Sequence, residues 1–246
     1  MKRFSWEVRL GMALVGASLT IYLVKYAVLG DPLNTFQYVF NSLGFLPINV
    51  LFVTLIINQL LSVRAKRSRL EKLNMVIGTF FSEVGTTLLT FLSDHDPRLD
   101  EIRSDLIVTD DWSGEDFSRV QERLRGYGYE VDAGRIDLAC LHSFLRERRD
   151  FMLRILENPA VLEHEAFTDL LRAAFHLTEE LERRADLSRL PETDRDHLAG
   201  DIRRIYALLA RQWLDYMRFL KKDYPYLFSL AMRTNPFDEE ASPIVR

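Results

Sequence analysis

Leu10 to Leu29 reads LGMALVGASLTIYLVKYAVL, and Leu43 to Ile57 reads LGFLPINVLFVTLII. The first stretch holds 20 residues and one charge, Lys25. At 1.5 Å per residue it covers about 30 Å, the thickness of a bilayer's hydrocarbon. Lys25 lies about a turn from the far end, where its stem can carry the ammonium out to the headgroups. Tyr22 and Tyr26 suit the interface beside it. The second segment extends from about Phe36 to Val63. Pro47 removes a backbone donor there. Either one kinked span results, or an interfacial turn over 36–44 precedes a span over 45–61; the kinked span is preferred. Gly30, Asp31 and Pro32 supply turn chemistry between the segments, which predicts a tight hairpin.

Orientation follows from the basic residues beside the membrane. Lys2, Arg3 and Arg9 precede the first span, and Arg64, Lys66, Arg67, Arg69 and Lys72 follow the second, whereas residues 30–35 contain no Lys or Arg. Both termini are therefore expected in the cytoplasm, as a multi-pass protein of the cell inner membrane. The first apolar run is longer than the core of a cleaved signal peptide, and a second span follows it closely, so it is read as retained.

Composition changes sharply beyond the hairpin. Residues 1–62 carry six charges (Lys2, Arg3, Glu7, Arg9, Lys25, Asp31), a net of +2, and residues 63–246 carry 62, a net of −6. An apolar front joined to a charged back is the layout of an anchor carrying a cytosolic domain. The overall charge of −4 excludes a globally basic nucleic-acid binder, and the clusters Arg146–Asp150 and Glu182–Arg184 interleave bases with acids as intrahelical pairs. Nucleic acid is not expected as a partner. The single cysteine, Cys140, cannot close an internal disulfide and reads as a small core residue.

Arg64 to Lys72, RAKRSRLEK, sets five bases against one acid at the cytoplasmic face. Arg64, Lys66, Arg67, Arg69 and Lys72 are the candidate site: contacts to anionic lipid headgroups at roughly 1 kcal/mol per base. No breaker follows. Leu70, Leu73, Ile77, Phe80, Val84 and Phe91 recur at spacings of three and four, with Thr87 in the missing slot. The second span thus continues as a helix to about Ser93, ended by Asp94-His-Asp-Pro97. Its stripe packs within its own domain or against a second copy. Gly78 and Gly85 permit close approach and weaken a simple zipper.

Further on, a short helix is expected over 97–106, and a helix capped by Ser113 ends near Gly126 or Gly128. A short strand over Tyr127–Val131 could pair with Ile107–Val108. Longer helices follow over about Ala133–Glu157, Leu162–Ala185 and Pro191–Lys222. The last carries Leu198, Ile202, Ile205, Leu209, Trp213, Met217 and Leu220 as a core stripe. Tyr224, Tyr226, Phe228 and Leu230 pack in the core or lie against the bilayer interface, with core packing preferred.

No phosphate loop, dinucleotide fingerprint, nucleophile elbow or paired Cys-x-x-Cys is present. The histidines are His95, His142, His164, His176 and His197. A di-iron bundle needs paired Glu-x-x-His turns. None occurs here, and only His176-x-x-Glu179 has the reversed spacing. Asn41, Asn49, Asn58 and Gln59 in the second segment read as interhelical hydrogen-bonding groups rather than a pathway.

Several stretches carry a resemblance: Phe45-Leu-Pro-Ile48 with Val53-Thr-Leu-Ile-Ile57, Leu70-Glu-Lys-Leu-Asn-Met-Val-Ile77, Phe80-Phe-Ser-Glu-Val-Gly85, Leu156-Glu-Asn-Pro159, Phe175-His-Leu-Thr-Glu-Glu-Leu181, Tyr224-Pro-Tyr-Leu-Phe-Ser-Leu230 and Arg233-Thr-Asn-Pro-Phe237. From about residue 31 onward the chain resembles a group of prokaryotic two-span membrane proteins of unknown function. The resemblance implies the layout and supplies no catalytic residue.

The expected fold is all-α, a two-helix transmembrane hairpin (1–62) continued through a basic collar and connector helix (63–93) into a cytosolic helical bundle (94–234), with a flexible tail (235–246). The expected function is a membrane-anchored interaction or scaffold module without a catalytic site or cofactor. Its partners are an anionic lipid bilayer, further copies of itself and a cytosolic protein. The alternatives are a conduit of several hairpins around Asn41, Pro47 and Asn49, and a metalloenzyme using His142, His164, His176 and nearby glutamates.

Overall fold

The computed structural model describes residues 6–132 and 134–245, with side chains described for all of these except 6–11, 29 and 67. Lys2 and Arg3, and the side chains of Arg9 and Arg67, lie outside the described part. The chain divides into two compact units, Met1–Lys66 and Arg67–Arg246. Among the described residues every regular element is helical.

In the first unit, α1 (Trp6–Leu29) ends where Gly30 takes a φ of +62°, a left-handed value that a Cβ would penalise. Gly30 donates its N–H to the Tyr26 carbonyl at 3.0 Å, closing the last turn of α1. Asp31 then caps α2 (Pro32–Phe80), its carboxylate accepting the Asn34 N–H at 3.0 Å, with Pro32 pre-set for the first helical position. Only Gly30 and Asp31 separate the two helices. Helix α2 runs through Pro47 without a break, and residues 36–44 are helical, so no interfacial turn precedes the apolar stretch. The helical run Pro32–Ser93 is long and apolar enough to cross a membrane, and none of its most apolar window is buried. Met12–Val28 of α1 is a shorter apolar helix of 10–17 residues.

In the second unit the final turns of α2 give way to a wide π-turn (Phe81–Gly85) and then α3 (Thr86–Ser93). This turn corrects the heptad reading. Leu73, Ile77, Phe80 and Val84 are buried as the spacing predicts, but downstream the core takes Leu88, Leu89 and Leu92, leaving Thr87 exposed and Phe91 half-buried. A π-turn spends one extra residue, which advances the buried face by one position. Gly85 makes room for it. A Cβ there would stand 2.6 Å from Phe81 Cδ1 and 2.9 Å from Phe80 Cε1. The stripe packs inside its own unit, so the connector residues from 67 onward share one core with the bundle.

The 97–106 helix is instead two 3₁₀ turns, Leu99–Glu101 and Arg103–Leu106, interrupted at Ile102. Helix α4 (Gly114–Gly126) starts with a capping box between Ser113 and Asp116. No strand forms over Tyr127–Val131. That segment is fixed by its rings: Tyr127 meets Tyr129, and Tyr129 meets Tyr206, each pair edge-on at 4.9 Å. Helix α5 (Leu138–Leu156) begins later than expected, at its Asp137 cap. Cys140 is exposed rather than buried, because Leu138 and Leu141 occupy the inward positions of that first turn. Asn158 caps the short α6 (Pro159–Leu162), and His164 caps α7 (Glu165–Glu182) through Nδ1, which accepts the Phe167 N–H at 3.2 Å. Helix α8 (Glu192–Asp223) is the central element. All seven residues of its expected stripe are buried, against α3, α4, α7 and α9 (Pro225–Arg233).

The loose tail starts later than residue 235. Asn235 and Phe237 are buried, with Phe237 edge-on to Trp213 at 5.1 Å. The four aromatic and apolar candidates at α9 and its cap separate: Phe228 is buried and Tyr224 half-buried, whereas Tyr226 is 71% exposed and Leu230 is exposed.

Candidate functional site

Arg64 to Lys72 is helical because Arg, Lys, Ala, Leu and Glu are all good helix formers. Arg64 and Lys66 are exposed at the close of the first unit, and Arg69 and Lys72 are exposed at the start of the second. Arg69 is not a free base. Its guanidinium pairs with Glu163, from the turn before α7, at 3.2 Å. Both side chains are more than 60% exposed (68% and 61%), so water and salt screen the pair heavily. Glu163, a glutamate next to His164, thus faces this arginine.

Beside Lys72, α2 and α8 enclose an open cleft of about 350 Å³ lined by Leu70, Asn74, Asp215, Arg218, Phe219 and Lys222 among others. Burial raises the Asp215 carboxyl above its ordinary value, opposed by Arg218. At this end of the bundle Lys221 donates to the Asp110 carbonyl and lies 5.3 Å from the Phe228 ring centre. Its stem thereby covers apolar surface.

The histidines do not assemble as the metalloenzyme alternative requires. His142 sits on α5 with a buried Nε2 that has no hydrogen-bond partner, and His164 is committed to its cap. His95 Nδ1 lies 2.7 Å from the Phe91 carbonyl. His176 of α7 meets His197 of α8 instead. The His176 Nε2 stands 3.4 Å from Asp201 Oδ2 and 4.0 Å from Glu180 Oε1. The His197 Nε2 stands 3.6 Å from the same Asp201 oxygen and 3.8 Å from Glu180 Oε2. Each imidazole thus faces both carboxylates. Arg184 forks between Glu180 at 2.8 Å and Asp194 at 2.6 Å. Its hydrogen bond holds the Glu180 carboxyl below the usual range.

Sequence reasoning singled out His176 and its nearby glutamates but missed their partners on α8. A signal was present: His176-x-x-x-Glu180 is mirrored by His197-x-x-x-Asp201, and equal spacing on adjacent helices places like groups opposite one another.

A second buried polar group lies where the α3 end meets α8. Asp96 accepts the Tyr127 hydroxyl at 2.8 Å and the Arg98 N–H at 2.9 Å. Burial raises its carboxyl above the ordinary value, against those hydrogen bonds. Burial pushes the neighbouring Tyr129 and Tyr206 phenols up, with the Asp96 carboxyl adding to the effect on Tyr206.

Residues 69–233 match the family described as "Uncharacterized protein MJ1433, C-terminal helical domain", and residues 2–61 match "MJ1433, N-terminal helical domain". The chain is similar to "Uncharacterized protein MJ1433" of Methanocaldococcus jannaschii, with 43% identity over 232 residues, covering 94% of this chain and 93% of that one. No solved structure matches it. The two matched segments follow the division into an apolar helical unit and a charged helical unit, and with the full-length similarity they show that the chain belongs to the MJ1433 family of all-α proteins, whose function is unknown.

Proposed function

We propose that this protein is a membrane-anchored helical scaffold. In this reading α1 and the apolar part of α2 span the inner membrane as a hairpin, both termini are cytoplasmic, and the bundle presents binding surface to a cytosolic protein. The observation that carries it is the apolar window within Pro32–Ser93, which finds no cover anywhere in the fold. Water would solvate that surface at a large cost, whereas hydrocarbon would not, and a helix already satisfies its own backbone groups there. The shorter Met12–Val28 stretch is the natural second span, since only Gly30 and Asp31 separate its helix from α2. Arg64, Lys66, Arg67 and Lys72 then meet anionic headgroups, with Arg69 contributing less because Glu163 shares its charge.

The hairpin's exposed Asn41, Asn49 and Gln59 favour association of several copies, because amides in hydrocarbon gain by bonding across helices. A catalytic role is not part of the proposal.

The test is fractionation of the full chain in its host. It should sediment with membranes, resist alkaline carbonate and dissolve only in detergent. A reporter fused after Arg246 should report from the cytoplasm. A supernatant protein, or an external reporter, overturns the reading. Native mass spectrometry in detergent should show a defined multi-chain assembly.

A further inference from the structure

The geometry points to a divalent transition-metal site formed by His176, Glu180, His197 and Asp201, joining α7 to α8. The four nitrogen–oxygen distances, 3.4, 3.6, 3.8 and 4.0 Å, are all too long for good hydrogen bonds. They are close to the edges of a coordination shell. Ligands about 2.1 Å from a tetrahedral zinc lie about 3.4 Å from one another.

Asp201 supplies the independent observation. Its side chain is 7% exposed, and its Oδ2, the oxygen both imidazoles face, accepts no hydrogen bond. A buried carboxylate oxygen without a donor is costly, and native folds rarely leave one so. A bound cation would satisfy it. Arg204 approaches only the other oxygen, Oδ1, at 3.4 Å. Arg184 holds Glu180 through Oε2, the oxygen nearer His197, and leaves Oε1 on the His176 side for an ion, as outer-shell groups orient metal-bound carboxylates.

The donor set selects the ion. Two imidazoles suit zinc, cobalt or nickel, whereas calcium and magnesium prefer oxygen alone. With neutral imidazoles the three acids here (Glu180, Asp194, Asp201) outnumber the two arginines (Arg184, Arg204), so a cation is drawn in. As the side chains stand, no three donors among the described residues surround one point at bonding distance. The carboxylates are held, but the rings are 46% and 54% exposed with no hydrogen bond on Nε2, so rotation of the imidazoles closes the shell at little cost.

The full chain, free of any histidine tag, is stripped with chelator in detergent and dialysed against zinc chloride. One zinc per chain should remain, and cobalt should give the intense visible absorption of a tetrahedral complex. Zinc should raise the unfolding midpoint by several degrees. The double variant His176→Gln with His197→Gln should bind zinc at least ~100-fold more weakly at unchanged helicity. Asp201→Asn, a second variant that keeps both rings, should also lose the cobalt spectrum. Cys140→Ser should bind as the parent does. Absence of stoichiometric zinc in the parent, or parent-like binding by the double variant, overturns the site.

Discussion

Asn235 donates its side-chain amide to the Leu106 carbonyl at 2.8 Å, across 129 positions of chain. Its own Oδ1 accepts the Phe237 N–H at 3.0 Å, and Ser93 Oγ approaches the Pro236 carbonyl at 3.4 Å. One side chain therefore ties the end of α9 to the 3₁₀ turn before α4 and holds Phe237 against Trp213. Asn235→Ala leaves a buried acceptor and a buried donor unpaired. It should destabilise the bundle by about 2–3 kcal/mol. Denaturant unfolding followed by tryptophan fluorescence measures this directly, since Trp213 contacts the ring concerned.

Gly85→Ala should cost about 1–3 kcal/mol, because its new methyl would press on the buried rings of Phe80 and Phe81. Gly78→Ala should cost less. Its nearest neighbour is the Tyr216 hydroxyl at 3.0 Å, the far end of a side chain that can shift. The two unfolding midpoints, compared side by side, check the order.

The Asp96 carboxyl binds its proton more tightly in the native state than in the unfolded chain, because burial raises it above 3.8. The contribution to stability is therefore fullest below that value and diminishes as pH climbs through the interval above it. Asp96→Asn keeps an oxygen for the Tyr127 hydroxyl and removes the ionisation. Unfolding curves from pH 4 to 7 should show the parent losing stability relative to this variant. A parent that instead gains on it would contradict the assignment.

Arg184 is 15% exposed and forks between two carboxylates on different helices. Arg184→Ala should lower stability by about 2 kcal/mol. Arg184→Lys should recover little, since an ammonium cannot bridge both acids in one plane. A full rescue by lysine would show that charge alone suffices.

Charge reversal in the collar should distinguish its members. Lys72→Glu should weaken the collar's attraction to anionic headgroups by about 1 kcal/mol or more. Arg69→Glu should have less effect on lipid and a measurable one on the α6–α7 turn, where Glu163 loses its partner. The amount of anionic lipid that co-purifies with the full chain in mild detergent compares the two.

Much of the architecture was legible from residue order. The helix break at Gly30–Asp31, the Ser113 cap and the α8 stripe each depend on local chemistry, and each formed where spacing placed it. What failed depended on context. Thr87 and Phe91 were assigned inward because a constant turn was assumed, and the π-turn at Phe81–Gly85 broke that assumption. Tyr127 and Tyr129 looked like strand residues by type, but Asp96 claimed the Tyr127 hydroxyl and Tyr206 the Tyr129 ring. Asn235-Pro-Phe237 looked like tail, since nothing local indicates that a distant carbonyl needs its amide. In the candidate cluster, half was visible as an i, i+4 pair on α7; the other half required knowing that α8 lies alongside.

The wide turn at Phe81–Gly85 also makes this chain sensitive to counting. Deleting a single residue there would restore regular winding and leave the face after it unchanged, because the wide turn already absorbs one extra position. Deleting one just outside it, with the wide turn kept, would instead swing Leu88, Leu89 and Leu92 out of the interior together by about 100°. Exchanges of one amino acid for another on the outer surface should pass unnoticed by the fold, whereas a shift in phase of one position would be read by every contact that follows.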